Sequence, residues 1–302
     1  MSGTALVVGA SGFLGRAVVR RLRADGWTVV GTYCSTPPAA VGDSRDGGAG
    51  GSDDGRHLPD ETVQFDFWTD DLRTHVTDCD ADAVVFAAAV EYGGEADTGE
   101  TSAGPSFERA AERFVEACRD RRLVYVSSAA VFDGTQGRYT EDAERSPRDA
   151  YGRRLATVED LVSERVDGSV ILRTSYLFGV DRENLDRRLA FTREAVAAGE
   201  SVCYFEDMYK SPVHVREAAR AVRALVESDA GGVVHAPAPR ISVCEFHRKA
   251  MTALGYDTSL VESEPMPDDP TLAPDRSLAS NRFESLVGFR PSTVADAFDD
   301  GW

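Results

Sequence analysis

The chain has 302 residues and carries 51 acidic against 33 basic side chains, a formal net charge of −18. That balance excludes a general nucleic-acid binder, which needs basic patches to attract phosphates. Hydrophobic residues make up 42% of the chain, enough for a core in one large or two modest domains.

Ala5 to Val8 is an apolar run that predicts a buried parallel strand. Three glycines follow in Gly9-Ala10-Ser11-Gly12-Phe13-Leu14-Gly15, spaced G-x-x-G-x-x-G. Arg16 to Arg23 then has helical apolar spacing through Ala17, Val18 and Leu22, and Asp25-Gly26 stops it. Strand, glycine turn and helix make the first half of a dinucleotide-binding unit. Gly9 permits the tight turn, Gly12 lets backbone approach a pyrophosphate, and Gly15 lets helix and strand pack closely. The helix N-terminus offers free N–H groups and a partial positive charge to the phosphates. Gly9, Ser11, Gly12, Phe13, Leu14, Gly15 and Arg16 are therefore cofactor-site candidates.

Thr28 to Thr32 is a second strand. Its end reads Thr32-Tyr33-Cys34-Ser35 and lacks the carboxylate that often binds the ribose 2′-hydroxyl of NAD. With Arg16 just after the third glycine, this favours NADP(H), with NAD(H) as the second choice. Pro37 to Glu61 is rich in Gly, Asp, Ser and Pro, and predicts a mobile surface insertion. Val63 to Asp66 is a third strand, with Asp66 placed for the adenine and Phe67 beside it. Ala83 to Ala89 is a fourth, and its small residues Ala87, Ala88 and Ala89 would let a cofactor lie against the backbone. Glu91 to Gly104 reads as polar loop, Pro105 to Arg121 as helix, and Leu123 to Ser127 as a fifth strand. This alternation requires a doubly wound, mostly parallel α/β sheet.

Ser128 lies just beyond the carboxyl end of that fifth strand, where open α/β sheets bind ligands. Tyr151 opens a helix with Leu155, Val158, Leu161 and Val162 at its apolar positions. A serine and a tyrosine so placed can share one carbonyl oxygen. The serine would hold it, and the tyrosine would give it a proton as hydride arrives from nicotinamide. Further on, Asn184 to Ala198 reads as helix, Ser201 to Phe205 as strand, and Ser211 to Val215 as a return to the cofactor domain. Gly232 to His235 is another strand and Val243 to Leu254 another helix. His214 and His235 read as structural, since neither has metal-ligand spacing to a partner.

From Gly9-to-Gly15 onward the chain resembles the extended short-chain dehydrogenases/reductases, and most strongly the dTDP-4-dehydrorhamnose reductases among them. The likeness runs through Ser128-to-Gly134, Tyr139-Thr140-Glu141-Asp142, Tyr151-Gly152-Arg153 and Ile171-to-Tyr176. It continues through Ser211-to-Val215, Ser280-to-Phe283 and Gly288-to-Pro291. The resemblance implies a Rossmann-type doubly wound parallel sheet over residues 1–175, to which the chain returns at about 211–238. It implies a smaller C-terminal substrate lobe, mainly residues 176–302. It implies an NAD(P)H-dependent reductase of a 4-keto nucleotide sugar, with Ser128 and Tyr151 catalytic and Tyr151 and Arg173 also against the cofactor. Ser128, Ala129, Thr174, Ser175, Tyr176 and Asn184 would contact substrate.

Three positions depart from the pattern. The family's Y-x-x-x-K has Leu155 where the lysine should stand, the Asn of the preceding helix falls on Phe107, and Thr-Asp-Tyr is Ser128-Ala129-Ala130. A leucine can neither bond ribose nor stabilise a phenolate. A second reading therefore stays open, a nucleotide- or sugar-nucleotide-binding protein without turnover. The regulatory β subunit of methionine adenosyltransferase, of the same broad family, has such a role.

The remaining composition is consistent with either reading. Lysine occurs only at Lys210 and Lys249. Carboxylates and arginines with so little lysine point to a halophilic chain whose self-repulsion salt screens, or to a GC-rich genome. The five cysteines are scattered without a C-x-x-C pair, arguing against a metal site or disulfide frame. The first strand leaves no room for a signal peptide, and no apolar run reaches membrane-spanning length. The expected protein is soluble and cytoplasmic, with a small-molecule nucleotide sugar as partner, no nucleic acid or membrane, and a homodimer allowed.

Overall fold

The computed structural model describes residues 3–38, 58–89, 106–181 and 184–299. Most of the segment expected to be a mobile insertion, and the loop expected over Glu91–Gly104, lie outside the described residues. The apolar run becomes β1 (Thr4–Val8), whose Ala5, Leu6, Val7 and Val8 are all buried. The helix after the glycine turn is α1 (Phe13–Ala24), burying Leu14, Ala17, Val18 and Leu22 on one face. Next come β2 (Thr28–Tyr33), β3 (Glu61–Gln64), α2 (Leu72–Asp78), β4 (Ala83–Phe86), α3 (Phe107–Ala117) and β5 (Arg122–Ser128). They are followed by α4 (Ala150–Arg165) and β6 (Val170–Thr174).

The remaining elements are mostly short. They are β7 (Leu177–Phe178), β8 (Val180–Asp181), β9 (Asn184–Leu185), α5 (Arg187–Ala197), β10 (Val202–Phe205), β11 (Tyr209–Lys210) and β12 (Val213–His214). Then come α6 (Val215–Val226), β13 (Gly232–His235), β14 (Ile241–Ser242), α7 (Val243–Ala253), β15 (Val261–Glu264), α8 (Phe283–Val287) and α9 (Asp296–Asp299).

One sheet of seven strands runs in the order β13-β6-β5-β4-β1-β2-β3. β1 pairs in parallel with β2 and β4, β2 with β3, and β4 with β5. The order reverses direction at β1, the signature of a doubly wound sheet. The Rossmann-type fold expected from the sequence is therefore present. Some boundaries differ. β3 begins at Glu61 and ends before Phe65, because Asp60 accepts the Val29 N–H at 2.8 Å and binds Arg23 at 2.7 Å, pinning the strand's entry. β4 stops at Phe86, leaving Ala87–Ala89 in the loop beyond it. Asn184 lies in β9 rather than in the helix, which starts only after Asp186. Asp186 accepts hydrogen bonds from the Arg188 and Leu189 N–H groups and caps α5.

The chain divides into two compact units. One comprises residues 1–126, 157–171 and 222–232; the other comprises 127–156, 172–221 and 233–302. The segment 211–221, expected in the cofactor domain, clusters with the second unit, and only 222–232 with the first. In the first unit Arg122 fastens the base of the sheet. Its guanidinium donates to the carbonyls of Leu225 (3.2 Å), Ala230 (2.7 Å) and Gly168, and to Ser228 Oγ at 3.2 Å. One side chain thereby satisfies the turns that lead into β6 and β13. In the second unit Leu189, Phe178, Phe246, Met251 and Val261 form an apolar core under α5 and α7. The five cysteines are free thiols. Among the described residues no helix is long and apolar enough to cross a membrane.

Three histidines of the second unit are buried neutral. His247 stacks on Tyr204 at 3.8 Å and shares Thr192 Oγ1 at 2.8 Å. Burial, with Arg188 nearby, holds its pKa down to about 3. Burial and Arg216 hold His214 at about 4, and burial and Arg173 hold His235 at about 4. Their unfolded pKa is near 6.5, so the unfolded chain takes up protons first. The stability they contribute is complete above about pH 6.5 and falls as pH drops toward about 4. Urea unfolding across that range should lose up to about 1.4 kcal/mol per pH unit for each histidine. A His247→Gln variant should show a shallower slope, and an unchanged slope would contradict the buried-neutral assignment.

Candidate functional site

The glycine turn is held by backbone contacts that decide which glycine does what. Gly9 has φ +84°, and a Cβ there would lie 2.8 Å from Ala88. A Cβ on Gly15 would lie 2.0 Å from the Gly9 carbonyl oxygen. The fold itself therefore requires both. Gly12 differs. It is exposed, has an ordinary φ of −75°, and a Cβ would meet only the Gly9 oxygen, at 3.2 Å. A side chain there would need the Gly9 carbonyl to give by a few tenths of an ångström, a milder demand than at Gly9 or Gly15. Gly12 is also the N-cap of α1 and offers no side-chain cap, and the first turn holds no acid. The orphan N–H groups and positive dipole end are left for an anion. Thr32 Oγ1 accepts the Gly9 N–H at 3.1 Å, a support the sequence reading missed.

Other residues expected at the cofactor fall into two groups. Ser11, Phe13 and Arg16 are half-buried around the turn, and Arg16 donates to the Ser11 carbonyl. Ala87 and Ala88 are half-buried and Ala89 exposed, just past β4. Asp66 lies in the turn after β3, its Oδ1 accepting the Trp68 N–H at 2.8 Å. Leu14 and Phe67 instead present core side chains, 6% and 5% exposed. The Phe67 ring packs 5.9 Å from Phe86 and 5.8 Å from Phe107. The same cluster explains Phe107, where the family pattern has Asn: the position has become aromatic core.

The second unit holds the candidate chemistry. Ser128 ends β5, and its Oγ accepts the Ala130 N–H at 3.2 Å, which fixes the oxygen and leaves its proton to donate. Ala129 and Ala130 form the single buried turn that follows. The start of α4 packs directly on this turn: a Cβ on Gly152 would lie 2.3 Å from the Ala130 oxygen. Asp149 accepts the Gly152 N–H at 2.7 Å and caps the helix. The neighbours Tyr151 and Ser128 are thereby drawn to one locality, with Tyr151 half-buried in the first turn. Leu155, one turn on, is 1% exposed. The missing lysine has been replaced by a residue of the core.

Arg173 is buried and committed within the fold. Its Nη1 lies 3.2 Å from His235 Nε2, and its guanidinium 5.1 Å from the Phe132 ring. His235 Nδ1 faces the carbonyls of Tyr139 and Ala279 at 3.0 and 3.2 Å, so Nδ1 carries the proton and Nε2 accepts from Arg173. Thr174 Oγ1 donates to the Ser127 carbonyl at 3.4 Å, and Ser175 Oγ accepts the Ser211 N–H at 3.3 Å. Tyr176 is half-buried under the Arg188 guanidinium, 4.0 Å from its ring centre. Ser128, Ala129, Thr174, Ser175 and Tyr176 thus all belong to the second unit, as does Asn184 in β9.

The comparisons with known proteins agree with this framework. A family model described as "RmlD substrate binding domain" matches residues 3–298. The chain is 29% identical over 301 residues to the probable low-salt glycan biosynthesis reductase Agl14 of Haloferax volcanii, covering 97% of this chain and 95% of that protein. The fold superposes on the Bordetella bronchiseptica enzyme WbmH in complex with NAD+ with a TM-score of 0.76 at 19% identity, covering 99% and 96% of the two chains. It superposes on dTDP-4-dehydrorhamnose reductase from Bacillus anthracis in complex with NADP with a TM-score of 0.73 at 17% identity, covering 99% and 98%.

The glycine geometry separates two substitutions. Gly12→Val, which needs the Gly9 carbonyl to give by a few tenths of an ångström, should fold with a modest loss of melting temperature and lose dinucleotide affinity by calorimetry. Gly15→Ala should lower stability by about 2 kcal/mol or more, since backbone must move to admit the methyl. Wild-type affinity in folded Gly12→Val would refute the assignment of the turn.

Proposed function

The chain belongs to the RmlD substrate-binding-domain family of sugar-nucleotide reductases, and from that premise we propose that it is an NAD(P)H-dependent reductase of a 4-keto nucleotide sugar. Two features support this reading, each taken within its own unit. One is the α1 N-terminus, which has no side-chain cap and no acid in its first turn. The other is Ser128 and the first turn of α4 locked together through Gly152 and Ala130.

The residues present fit a nicotinamide dinucleotide. The N–H groups around Gly12 suit its pyrophosphate, and Asp66 its adenine. When bound in reduced form, the cofactor supplies a hydride. Ser128 holds the substrate carbonyl oxygen through its hydroxyl proton, because its oxygen already accepts from Ala130. Tyr151 gives that oxygen its phenolic proton. Tyr176, half-exposed beside Ser175, faces the sugar, and Thr174 supports them from the core through Ser127.

The loss of lysine at position 155 handicaps the two directions unequally. Reduction uses the phenol itself as the proton donor. The reverse oxidation needs a phenolate, which no lysine stabilises here. The enzyme is therefore built to run as a reductase.

NADP(H) is our first choice of cofactor and NAD(H) the second. Arg16 at the turn favours a 2′-phosphate. Asp66 and Asp70 oppose it, since both act on Cys34 just past β2, where burial and these carboxylates raise the thiol pKa.

The second reading, a binding protein without turnover, rests on Leu155. One assay decides between them. Tyr151→Phe should lower reduction of 4-keto sugar nucleotides by about 10²–10⁴-fold while cofactor binding is kept. Leu155→Lys buries an ammonium in the core, so it should destabilise the free protein, regain stability with cofactor, and raise oxidation more than reduction. If wild type and Leu155→Lys both bind cofactor but turn over no faster than Tyr151→Phe, the binding-protein reading replaces this one.

A further inference from the structure

Tyr151 stands in the first turn of α4, the part of a helix least held by its own hydrogen bonds. The chain reaches it through residues 143–148, which form neither helix nor strand. Such a stretch has to satisfy its backbone outside a regular ladder. The Ser146 N–H donates to the Val131 carbonyl at 2.9 Å, in the turn after Ser128. The Pro147 side chain lies against Gly152, where an added Cβ would meet it at 2.8 Å. Residues 148 and 149, on which the helix begins, are fixed from elsewhere.

Arg148 is half-buried and reaches a segment far along the chain. Its Nη1 donates to the carbonyls of Pro270 at 2.6 Å and Leu272 at 2.8 Å. Its own carbonyl accepts from Arg153 Nη1 at 3.1 Å, in the first turn of α4. Asp149, which caps the helix through the Gly152 N–H, meets Arg276 Nη2 at 3.6 Å. The same segment also grips the serine side. The Asp275 N–H donates to the Gly134 carbonyl at 2.8 Å, and Arg276 Nε to the Phe132 carbonyl at 2.9 Å. Gly134 has φ +80°, and a Cβ there would lie 2.7 Å from that of buried Ala273.

Residues 270–276 therefore bond both the start of α4 and the turn that follows Ser128, and all of these residues belong to the second unit. One end of the segment is well anchored. The Tyr209 N–H donates to the Pro274 carbonyl at 2.7 Å, and Arg240 binds Asp275 at 2.7 Å. The other end continues from residues 267–271, which are exposed. Arg148 ties down that end. The two arginines that join the segment to α4 are unequal. The Arg276–Asp149 pair is long and its carboxylate half-exposed, so it is worth little in high salt. Arg148 donates to backbone carbonyls at contact distance, and salt screens such bonds far less.

We propose that residues 270–276 form a strap that sets Tyr151 against Ser128, with Arg148 as its latch and a positioning residue for the proton transfer. The proposal rests on the reductase reading for the chemistry that the strap serves. A proton donor in a helix's first turn moves whenever that turn frays, and a misplacement of about 1 Å can slow a reaction about 10²-fold. Clamping the turn from a second part of the chain keeps the donor at its working distance.

The test compares wild type, Arg148→Ala and Arg148→Lys in high salt. Native-state hydrogen exchange at the Gly152 and Arg153 amides should speed up about tenfold or more in Arg148→Ala. Arg148→Lys, whose ammonium can meet both carbonyls, should recover part of the protection. The Ala250 and Met251 amides in α7 should not change. Reduction of a 4-keto sugar nucleotide by Arg148→Ala should fall about 10–100-fold in kcat, with KM and NADPH affinity kept. The solvent isotope effect on kcat should rise, because proton transfer is the step that has been slowed. In a Tyr151→Phe background Arg148→Ala should bring no further loss, since Arg148 acts through the phenol. Three results overturn the proposal: unchanged exchange at Gly152 and Arg153, exchange raised equally in α7, or a full further loss of rate in Tyr151→Phe. Faster exchange confined to the start of α4, in a protein whose wild type reduces no keto sugar, would keep the strap and defeat the reductase reading instead.

Discussion

The first unit turns on one close approach of backbone to backbone. Gly15, in the first turn of α1, lies so near the Gly9 carbonyl that a methyl at Gly15 would stand 2.0 Å from its oxygen. That contact seats α1 on the carboxyl end of β1 and fixes the direction of its free N–H groups. Thr32 secures the Gly9 amide from the neighbouring strand, and Ala88 closes the other side. The turn is therefore rigid before any ligand arrives, and binding there needs no ordering of backbone. Gly12 donates its N–H to the same Gly9 carbonyl at 2.9 Å and is itself exposed.

A second close approach organises the other unit. Gly152 against Ala130 sets the first turn of α4 on the turn that follows Ser128. The polar groups around it are mostly spent on structure. Arg173 is held by His235, Tyr139 bonds Asp133 at 2.5 Å, and Thr174 returns to Ser127. The turn after Ser128 and the first turn of α4 are thereby set on a framework of satisfied hydrogen bonds. Leu155 fits the same picture. Where a lysine would have to stay hydrated by ribose hydroxyls, a leucine buries itself in the core at no desolvation cost.

Periodicity and turn chemistry made much of this legible in the sequence. Ala5 to Val8, the three glycines and the apolar face of α1 announced the first strand–turn–helix unit, and the sequence placed Ser128 at the end of β5 and Tyr151 at the start of α4. Less legible was whatever depends on contacts far apart in the chain. Asp60 binding Val29 and Arg23 moved β3 upstream. Phe67 and Leu14 looked like cofactor neighbours by position, but their side chains pack inward with Phe86, Phe107 and the core of α1. Arg173 looked like a cofactor ligand by resemblance, and its partner His235 stands sixty-two residues away. Tyr209 and Asp275 come together only through a parallel bridge sixty-six residues apart in the chain.

The central claim is that this framework moves a hydride onto a sugar carbonyl. The most direct measurement follows deuterium. A 4-keto sugar nucleotide is incubated in high salt with nicotinamide cofactor deuterated at C4, as NADPH and as NADH, and the product is read by NMR. The account predicts deuterium on the former carbonyl carbon, delivered to one face of the sugar and from one face of the nicotinamide. Cofactor and sugar nucleotide that both bind, with no deuterium reaching the sugar carbon, would contradict it.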